Sequence, residues 1–295
     1  MNNLTGAMTA LITPFKNGNL DTDCYQKLIK RQIDQGMDAV VPVGTTGESA
    51  TLSHAEHKLC IEIAVETCKG TNAKVIAGAG SNATASAIEF AQHAQKVGAD
   101  GILSVTPYYN KPTQEGLYQH YKALANAVEI PVMLYNVPGR TGVDLEAETV
   151  IRLFDDVKNI YAIKEATGSL ERATSLLSQR EDLRVISGDD GIDFAMMANA
   201  GSGIISVTAN LLPNLKSQLV HSAQEGDFKT ARDIHNKLYA LNKSLFVESN
   251  PIPIKAIMYL AGLIDTLEYR LPLTAPSADT MKLLEKTLEQ YEVIK

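Results

Sequence analysis

The sequence predicts an α/β chain folded as a (β/α)8 TIM barrel with a C-terminal helical extension. Three observations carry that prediction. Short β-branched apolar runs alternate with amphipathic stretches from Gly6 onward. The runs recur roughly every 28 residues, the length of a βα unit. Eight of them follow one another, with none skipped and no linker splitting the series. Strands separated by helices form a parallel sheet, and eight is the number that closes into a barrel. An open, doubly wound sheet is the competitor, and the even repeat favours closure. The expected division is a catalytic barrel over residues 1–225 and a helical extension over residues 226–295 packed on it.

The elements follow in order. Ala7 to Ile12 is strand-like and is broken by Thr13-Pro14. Asp21 to Gln35 carries Tyr25, Leu28, Ile29 and Ile33 on one helical face, and Gly36 ends that helix. The second strand, Ala39 to Val43, runs into Gly44-Thr45-Thr46-Gly47-Glu48. Ser53 and Glu56 form a capping-box pair that opens the next helix. Lys74 to Ala77 is the third strand, and Thr84 to Val97 is its helix. Gly101 to Val105 is the fourth, followed by Thr106-Pro107-Tyr108-Tyr109-Asn110-Lys111-Pro112 and a helix reaching Val128. Val132 to Asn136 is the fifth, with a helix over Leu145 to Asp156. The sixth runs from Ile160 to Ile163 with Lys164 at its C-terminal end, and Gly168-Ser169 open the helix after it. Arg184 to Ser187 is the seventh, ending in Gly188-Asp189-Asp190, and Gly203 to Val207 is the eighth. Helical periodicity then covers Phe228 to Val247, Ile254 to Leu263 and Ala278 to Tyr291. Asn250-Pro251-Ile252-Pro253 separates the first two.

Hydrophobic residues make up 45% of the 295, enough for a sizeable core and too many for a disordered chain. The net charge of -7 is spread without blocks, which argues for a soluble protein and against nucleic acid or an anionic membrane as partner. No basic region followed by an apolar run opens the chain, and no segment reads as a membrane span. Cys60 and Cys68 fall on one predicted helix about 12 Å apart along its axis, too far for a disulfide. Three free thiols fit a reducing, cytoplasmic setting.

Chemistry in such a barrel gathers on the loops at the C-terminal ends of the strands. The polar residues there are Thr45 and Thr46, Tyr108 and Tyr109, Tyr135, Arg140, Lys164, Gly188, Asp189 and Asp190. A lysine at the end of a buried strand is costly as an ammonium, and as a free amine it attacks carbonyl carbon. The plain alternative is an ion pair with Glu165. Tyrosine and threonine hydroxyls near Lys164 suit proton transfer. The exposed N–H groups of Gly44 to Gly47 suit a carboxylate, and Arg140 offers a planar fork for a second one. These groups point to a 2-keto acid as first substrate and an anionic partner as second. Asp189 and Asp190 are expected to cap the following helix. His54 and His57 have H-x-x-H spacing but no third ligand in view, so solvated helix histidines and no metal are expected. Gly78-Ala79-Gly80-Ser81-Asn82-Ala83 imitates a dinucleotide-binding loop, but Asp100 precedes its strand instead of ending it, so no nucleotide is expected.

Gly-Thr-Thr-Gly-Glu at 44–48, Tyr-Tyr-Asn-Lys-Pro at 108–112, Tyr-Asn-Val-Pro-Gly-Arg-Thr-Gly at 135–142 and Ile-Lys-Glu-Ala-Thr-Gly at 163–168 together resemble the dihydrodipicolinate synthase family. The likeness runs from about Gly6 through Asn250-Pro251-Ile252-Pro253, in the family's order. It implies condensation of pyruvate with L-aspartate 4-semialdehyde through a lysine Schiff base, giving 4-hydroxy-tetrahydrodipicolinate for diaminopimelate and lysine biosynthesis, without a cofactor. It implies Lys164 as the Schiff-base residue and Thr45, Tyr109 and Tyr135 as the proton relay. Thr46 would hold the pyruvate carboxylate, Arg140 would guide the semialdehyde, and Gly188 and the Ile205 carbonyl would face the site. A homotetramer is implied, with Tyr109 reaching into a neighbour's site. The sister activities are N-acetylneuraminate lyase and 2-keto-3-deoxy sugar acid aldolase. A barrel that binds a keto acid without catalysis is the reading from another class.

The resemblance also implies an L-lysine effector site at Ser49, Ala50, His54, His57, Gly80, Asn82 and Tyr108. This chain departs from the pattern at Ser86, where lysine-sensitive relatives usually carry glutamate. Weakened feedback inhibition is therefore expected, with Glu89 as a possible substitute one helical turn on.

Overall fold

Eight parallel strands close on themselves in the computed structural model, which describes residues 4–295. They are β1 (Gly6–Ala10), β2 (Ala39–Val41), β3 (Lys74–Gly78), β4 (Gly101–Val105), β5 (Val132–Asn136), β6 (Ile160–Glu165), β7 (Arg184–Ser187) and β8 (Gly203–Ser206). Each pairs with its neighbours in sequence, and β1 pairs with β8 to complete the ring. Around them lie α1 (Thr22–Asp34), α2 (His54–Cys68), α3 (Thr84–Val97), α4 (Gln114–Asn126), α5 (Ala147–Asp156), α6 (Leu170–Gln179), α7 (Asp193–Ala198) and α8 (Pro213–Gln224). Three more helices follow: α9 (Phe228–Ser244), α10 (Ile252–Leu260) and α11 (Ala278–Leu288). The expected capping box of Ser53 and Glu56 opens α2.

Strand pleating sorts the core into two layers, because successive side chains face opposite sides. On β5, Val132 and Leu134 join the outer layer beneath the helices, while Met133 and Tyr135 point into the barrel. A third apolar cluster joins Ile12 and Ile204 of the barrel to Leu238, Leu241, Ile254 and Ile257. Through it the C-terminal helices pack on the barrel beside β1 and β8.

Several boundaries differ from the sequence reading, each for a local reason. The first strand stops at Ala10, because Ile12 N–H leaves the sheet for Asn210 Oδ1 at 3.1 Å. The second stops at Val41, because Val43 turns to a φ of 51°. The sixth runs on through Lys164 to Glu165, both paired in the ladder with β5 and β7. An unexpected hairpin joins Phe15–Lys16 to Asn19–Leu20, across Asn17 and Gly18 at φ 53° and 76°. That left-handed pair is the two-residue turn that tight hairpins favour.

Candidate active site

Ladder register brings the central pair together. Tyr135 on β5 is directly opposite Lys164 on β6. Lys164 is 7% exposed, and its Nζ lies 4.3 Å from the centroid of the Tyr135 ring. The ion pair with Glu165 does not form. Glu165 instead accepts from Arg172 Nε at 2.6 Å and from Thr167 N–H at 2.9 Å. Among the described residues no carboxylate lies within ion-pair distance of the Lys164 amine. Gly188 makes room for the lysine stem, since a Cβ there would sit 2.8 Å from Lys164 Cε.

These groups line a cavity of about 580 Å³ at the C-terminal end of the barrel. Thr45, Thr46, Tyr135, Arg140, Lys164, Gly188 and Ile205 all face it. Thr46 is buried, and its Oγ1 accepts from Asn250 Nδ2 at 2.9 Å. The turn Gly44 to Glu48 is closed by Gly47 N–H and Glu48 N–H donating backward at 3.1 Å each. Arg140 sits on a short helix, Pro138–Thr141, and its Nη2 donates to the Asn250 carbonyl oxygen at 3.2 Å. Asn250 therefore links Thr46 and Arg140, the two residues expected to hold carboxylates. It was read in the sequence only as part of a helix separator. Tyr239, Asn242, Lys243, Phe246 and Val247 complete the wall. They come from the extension, and nothing in their local sequence marks them as site residues.

Tyr109 is not in this cavity. It is 89% exposed at a φ of 74°, with its N–H donated to the Thr141 carbonyl. Thr45 and Tyr135 therefore line one cavity within one chain, and Tyr109 does not join them there. The expected effector residues also lie outside the cavity. Ser49 and Ala50 fall in a short 3-10 turn, His54 and His57 on α2, Gly80 and Asn82 after β3, and Tyr108 after β4. Asn82 Nδ2 donates to the Tyr108 carbonyl oxygen at 3.2 Å.

Two readings of local motifs change. His57 is not solvated: it is buried, with its ring stacked 4.1 Å from Phe90. Burial, with the charges of His54, His93 and Lys58 adding to it, pushes its imidazole down to about 4. Neither aspartate after Gly188 caps α7, which starts without a side-chain cap. Asp190 is buried, where desolvation opposes its charge. The Lys216 ammonium beside it and its hydrogen bonds outweigh that and hold its carboxyl below the usual range. Asp189 lies on the cavity wall. The glycines of the 78–83 loop serve packing, because a Cβ on Gly78 would meet Val43 O at 2.3 Å and one on Gly80 would meet Val105 N at 2.5 Å. No helix among the described residues is long and apolar enough to cross a membrane.

Comparison with known proteins gives one answer. The chain matches the dihydrodipicolinate synthetase family over residues 3–291. A curated relative, 4-hydroxy-tetrahydrodipicolinate synthase of Aliarcobacter butzleri, is 72% identical over 295 residues and 100% of each chain. Dihydrodipicolinate synthase from Aquifex aeolicus is 45% identical, covers 98% of each chain and superposes with a TM-score of 0.95. The chloride-inhibited enzyme from Acinetobacter baumannii, solved in complex with pyruvate, is 45% identical with a TM-score of 0.94, over 97% of this chain and 98% of that one. The synthase name on these relatives supports the synthase reading and not the sister lyases. With the barrel, the placed lysine and a match over nearly its whole length, the chain belongs to the dihydrodipicolinate synthetase family.

Proposed function

We propose that this protein is a Schiff-base-forming lyase that condenses pyruvate with L-aspartate 4-semialdehyde to give 4-hydroxy-tetrahydrodipicolinate. The observation that carries the reading is Lys164, buried against the Tyr135 ring on the cavity wall with no carboxylate partner among the described residues. Lys164 Nζ adds to the keto carbon of pyruvate, and the carbonyl oxygen leaves as water after taking up two protons. Loss of a methyl proton from the Schiff base gives an enamine. Its terminal carbon bonds to the aldehyde carbon, whose oxygen takes a proton to become the 4-hydroxyl. The semialdehyde's own amine then displaces Lys164 at the imine carbon, closing the ring and freeing the lysine.

Tyr135 and Thr45 move protons to and from the departing oxygen and the methyl carbon, with Tyr109 supplied by a neighbouring copy. Thr46 holds the pyruvate carboxylate, Gly188 and the Ile205 carbonyl border the adduct, and Arg140 receives the carboxylate of the semialdehyde. The pyruvate complex of the similar Acinetobacter enzyme supports pyruvate as first substrate. A cytoplasmic homotetramer with L-lysine as effector belongs to the same reading, as does the division into a barrel, residues 1–225, and an extension, residues 226–295. The exposed Tyr109 ring supports the neighbour contact.

The test is reduction with borohydride in the presence of pyruvate, followed by mass spectrometry of the digest, alongside a coupled assay with both substrates. A three-carbon adduct on Lys164 in turning-over enzyme is expected. An adduct elsewhere, or none in active protein, refutes the mechanism.

A further inference from the structure

The loop that carries Thr45 and Thr46 is held in a costly shape. It leaves β2 through Val43 at a φ of 51° and ends at Glu48 at a φ of 54°. Both residues are left-handed and neither is glycine. Such residues keep that conformation only where their surroundings hold them there. Glu48 N–H donates to the Thr45 carbonyl oxygen at 3.1 Å, and Ser49 N–H to that of Gly44 at 3.4 Å. The bend at Glu48 therefore sets where the two threonines face.

The Glu48 side chain is the part that is held. It is buried, with Oε1 2.5 Å from Lys255 Nζ and Oε2 accepting from Arg270 N–H at 3.0 Å. Lys255 is buried in the first turn of α10, and its ammonium sits 4.4 Å from the Phe15 ring centroid and 4.9 Å from that of Tyr269. Among the described residues Glu48 is the one acid within ion-pair distance of it. Just before α10, Asn250 Nδ2 donates to Thr46 Oγ1 at 2.9 Å. One segment of the extension thus grips the loop twice, at Thr46 and at Glu48. Neither Glu48 nor Lys255 is among the described residues that line the cavity, so neither touches substrate there. Apolar side chains of similar volume would dock the extension as well as this pair does. What the carboxylate adds is two fixed directions, one for each oxygen.

We propose that Glu48 and Lys255 are positioning residues, a buried brace that holds the left-handed turn of the loop and so aims Thr46 at the carboxylate of the first substrate. The proposal rests on the roles given above to Lys164 and Thr46. Its test is the double variant Glu48→Gln/Lys255→Met. That variant removes both charges, keeps an acceptor for Arg270 N–H and keeps apolar contact with Phe15 and Tyr269. Replacing a whole buried ion pair is often neutral for stability, whereas Lys255→Met alone strands a carboxylate and should unfold at a clearly lower temperature. The readout is timed borohydride trapping at Lys164, with pyruvate and with pyruvamide, which keeps the ketone and lacks the carboxylate. The double variant should unfold within a few degrees of native. Its preference for pyruvate over pyruvamide should be roughly fivefold to thirtyfold weaker than native, the shift worth the about 1–2 kcal/mol that a left-handed residue costs. Pyruvamide itself should be trapped within about twofold of the native rate. Glu48→Asp keeps the charge but shortens the arm by a methylene, and it should move the same ratio in the same direction. Equal losses with both ketones would mean a general structural role and overturn the proposal, as would native selectivity in either variant. Native enzyme without the adduct would instead overturn the reading of Lys164, and native enzyme that traps both ketones alike would overturn that of Thr46. The brace falls with either, by a result distinct from its own failure.

Discussion

Replacing Gly188 with alanine should cost far more activity than stability. A Cβ there would lie 2.8 Å from Lys164 Cε, 2.8 Å from Ala166 Cβ and 3.2 Å from the Glu165 carbonyl oxygen. Carbon atoms rest about 3.5–4.0 Å apart, so the lysine stem must withdraw by roughly 0.7–1.2 Å. The Gly188 backbone does not occupy the left-handed region, so the methyl group adds contact without conformational strain. Overpacking of this kind costs about 1–3 kcal/mol. The lysine end yields easily, but the Ala166 methyl is fixed to its backbone and cannot turn away, so the cost lies toward the middle of that range. Catalysis is less forgiving, since misplacing a reacting group by about 1 Å can cost a hundredfold. The assay follows Lys164–pyruvate adduct formation by timed borohydride quenching, with kcat and thermal unfolding measured on the same samples. Gly188→Ala should unfold within a few degrees of native while forming adduct about a hundredfold more slowly. Adduct formation at the native rate would show that Gly188 does not position Lys164. A loss of activity that merely tracks a loss of folded protein would refute the argument as well.

Four further outcomes are expected. Tyr109→Phe should lose about 10²–10⁴-fold in turnover while Tyr108→Phe loses little, as expected for a relay hydroxyl at Tyr109 alone. Mixing inactive Tyr109→Phe with inactive Lys164→Ala should restore activity, and no recovery after verified subunit exchange counts against the shared site. Burial depresses the His57 imidazole to about 4, so the neutral form is favoured on folding and its stabilisation is present above pH 6.5 and lost as pH falls toward 4. At pH 5 that loss is about 2 kcal/mol, and denaturant titrations of His57→Gln should show a smaller drop between pH 7 and 5 than native protein. An equal drop would assign the acid sensitivity to other groups. Lysine should inhibit native enzyme roughly ten- to a hundredfold less tightly than Ser86→Glu, by the worth of one charged hydrogen bond. Glu89 is already paired with Lys58 Nζ at 2.7 Å, which weakens its claim as a substitute. Native inhibition as strong as that of Ser86→Glu would defeat the argument from charge.

The barrel was legible because each strand is buried on both faces and reads as an apolar run between turn residues. Starts such as Ala39, Gly101, Val132 and Ile160 come from local composition and fall where the sequence places them. Ends depend on partners far along the chain. Ile12 leaves the sheet because Asn210, far along the chain, offers it an acceptor. Leu145 stays out of α5 because its N–H donates to Asn136 Oδ1 at 3.0 Å. Neither acceptor can be inferred from the residues flanking the boundary.

The site divides along the same line. Lys164, Tyr135, Thr46 and Arg140 were legible because each ends or follows a strand, and the barrel gathers strand ends. Asn250 was not, because its role is to bridge Thr46 and Arg140, a relation set by how the extension folds back over the barrel. Asp189 and Asp190 show the limit most sharply. An acidic pair just before a helix is a local capping signal. What separates the two is Lys216 on α8, buried and pairing with Asp190 and Asp193. Satisfying that ammonium takes Asp190 into the interior and leaves its neighbour on the cavity wall. A charge made necessary by packing in one element thus decides which of two identical side chains lines the cavity.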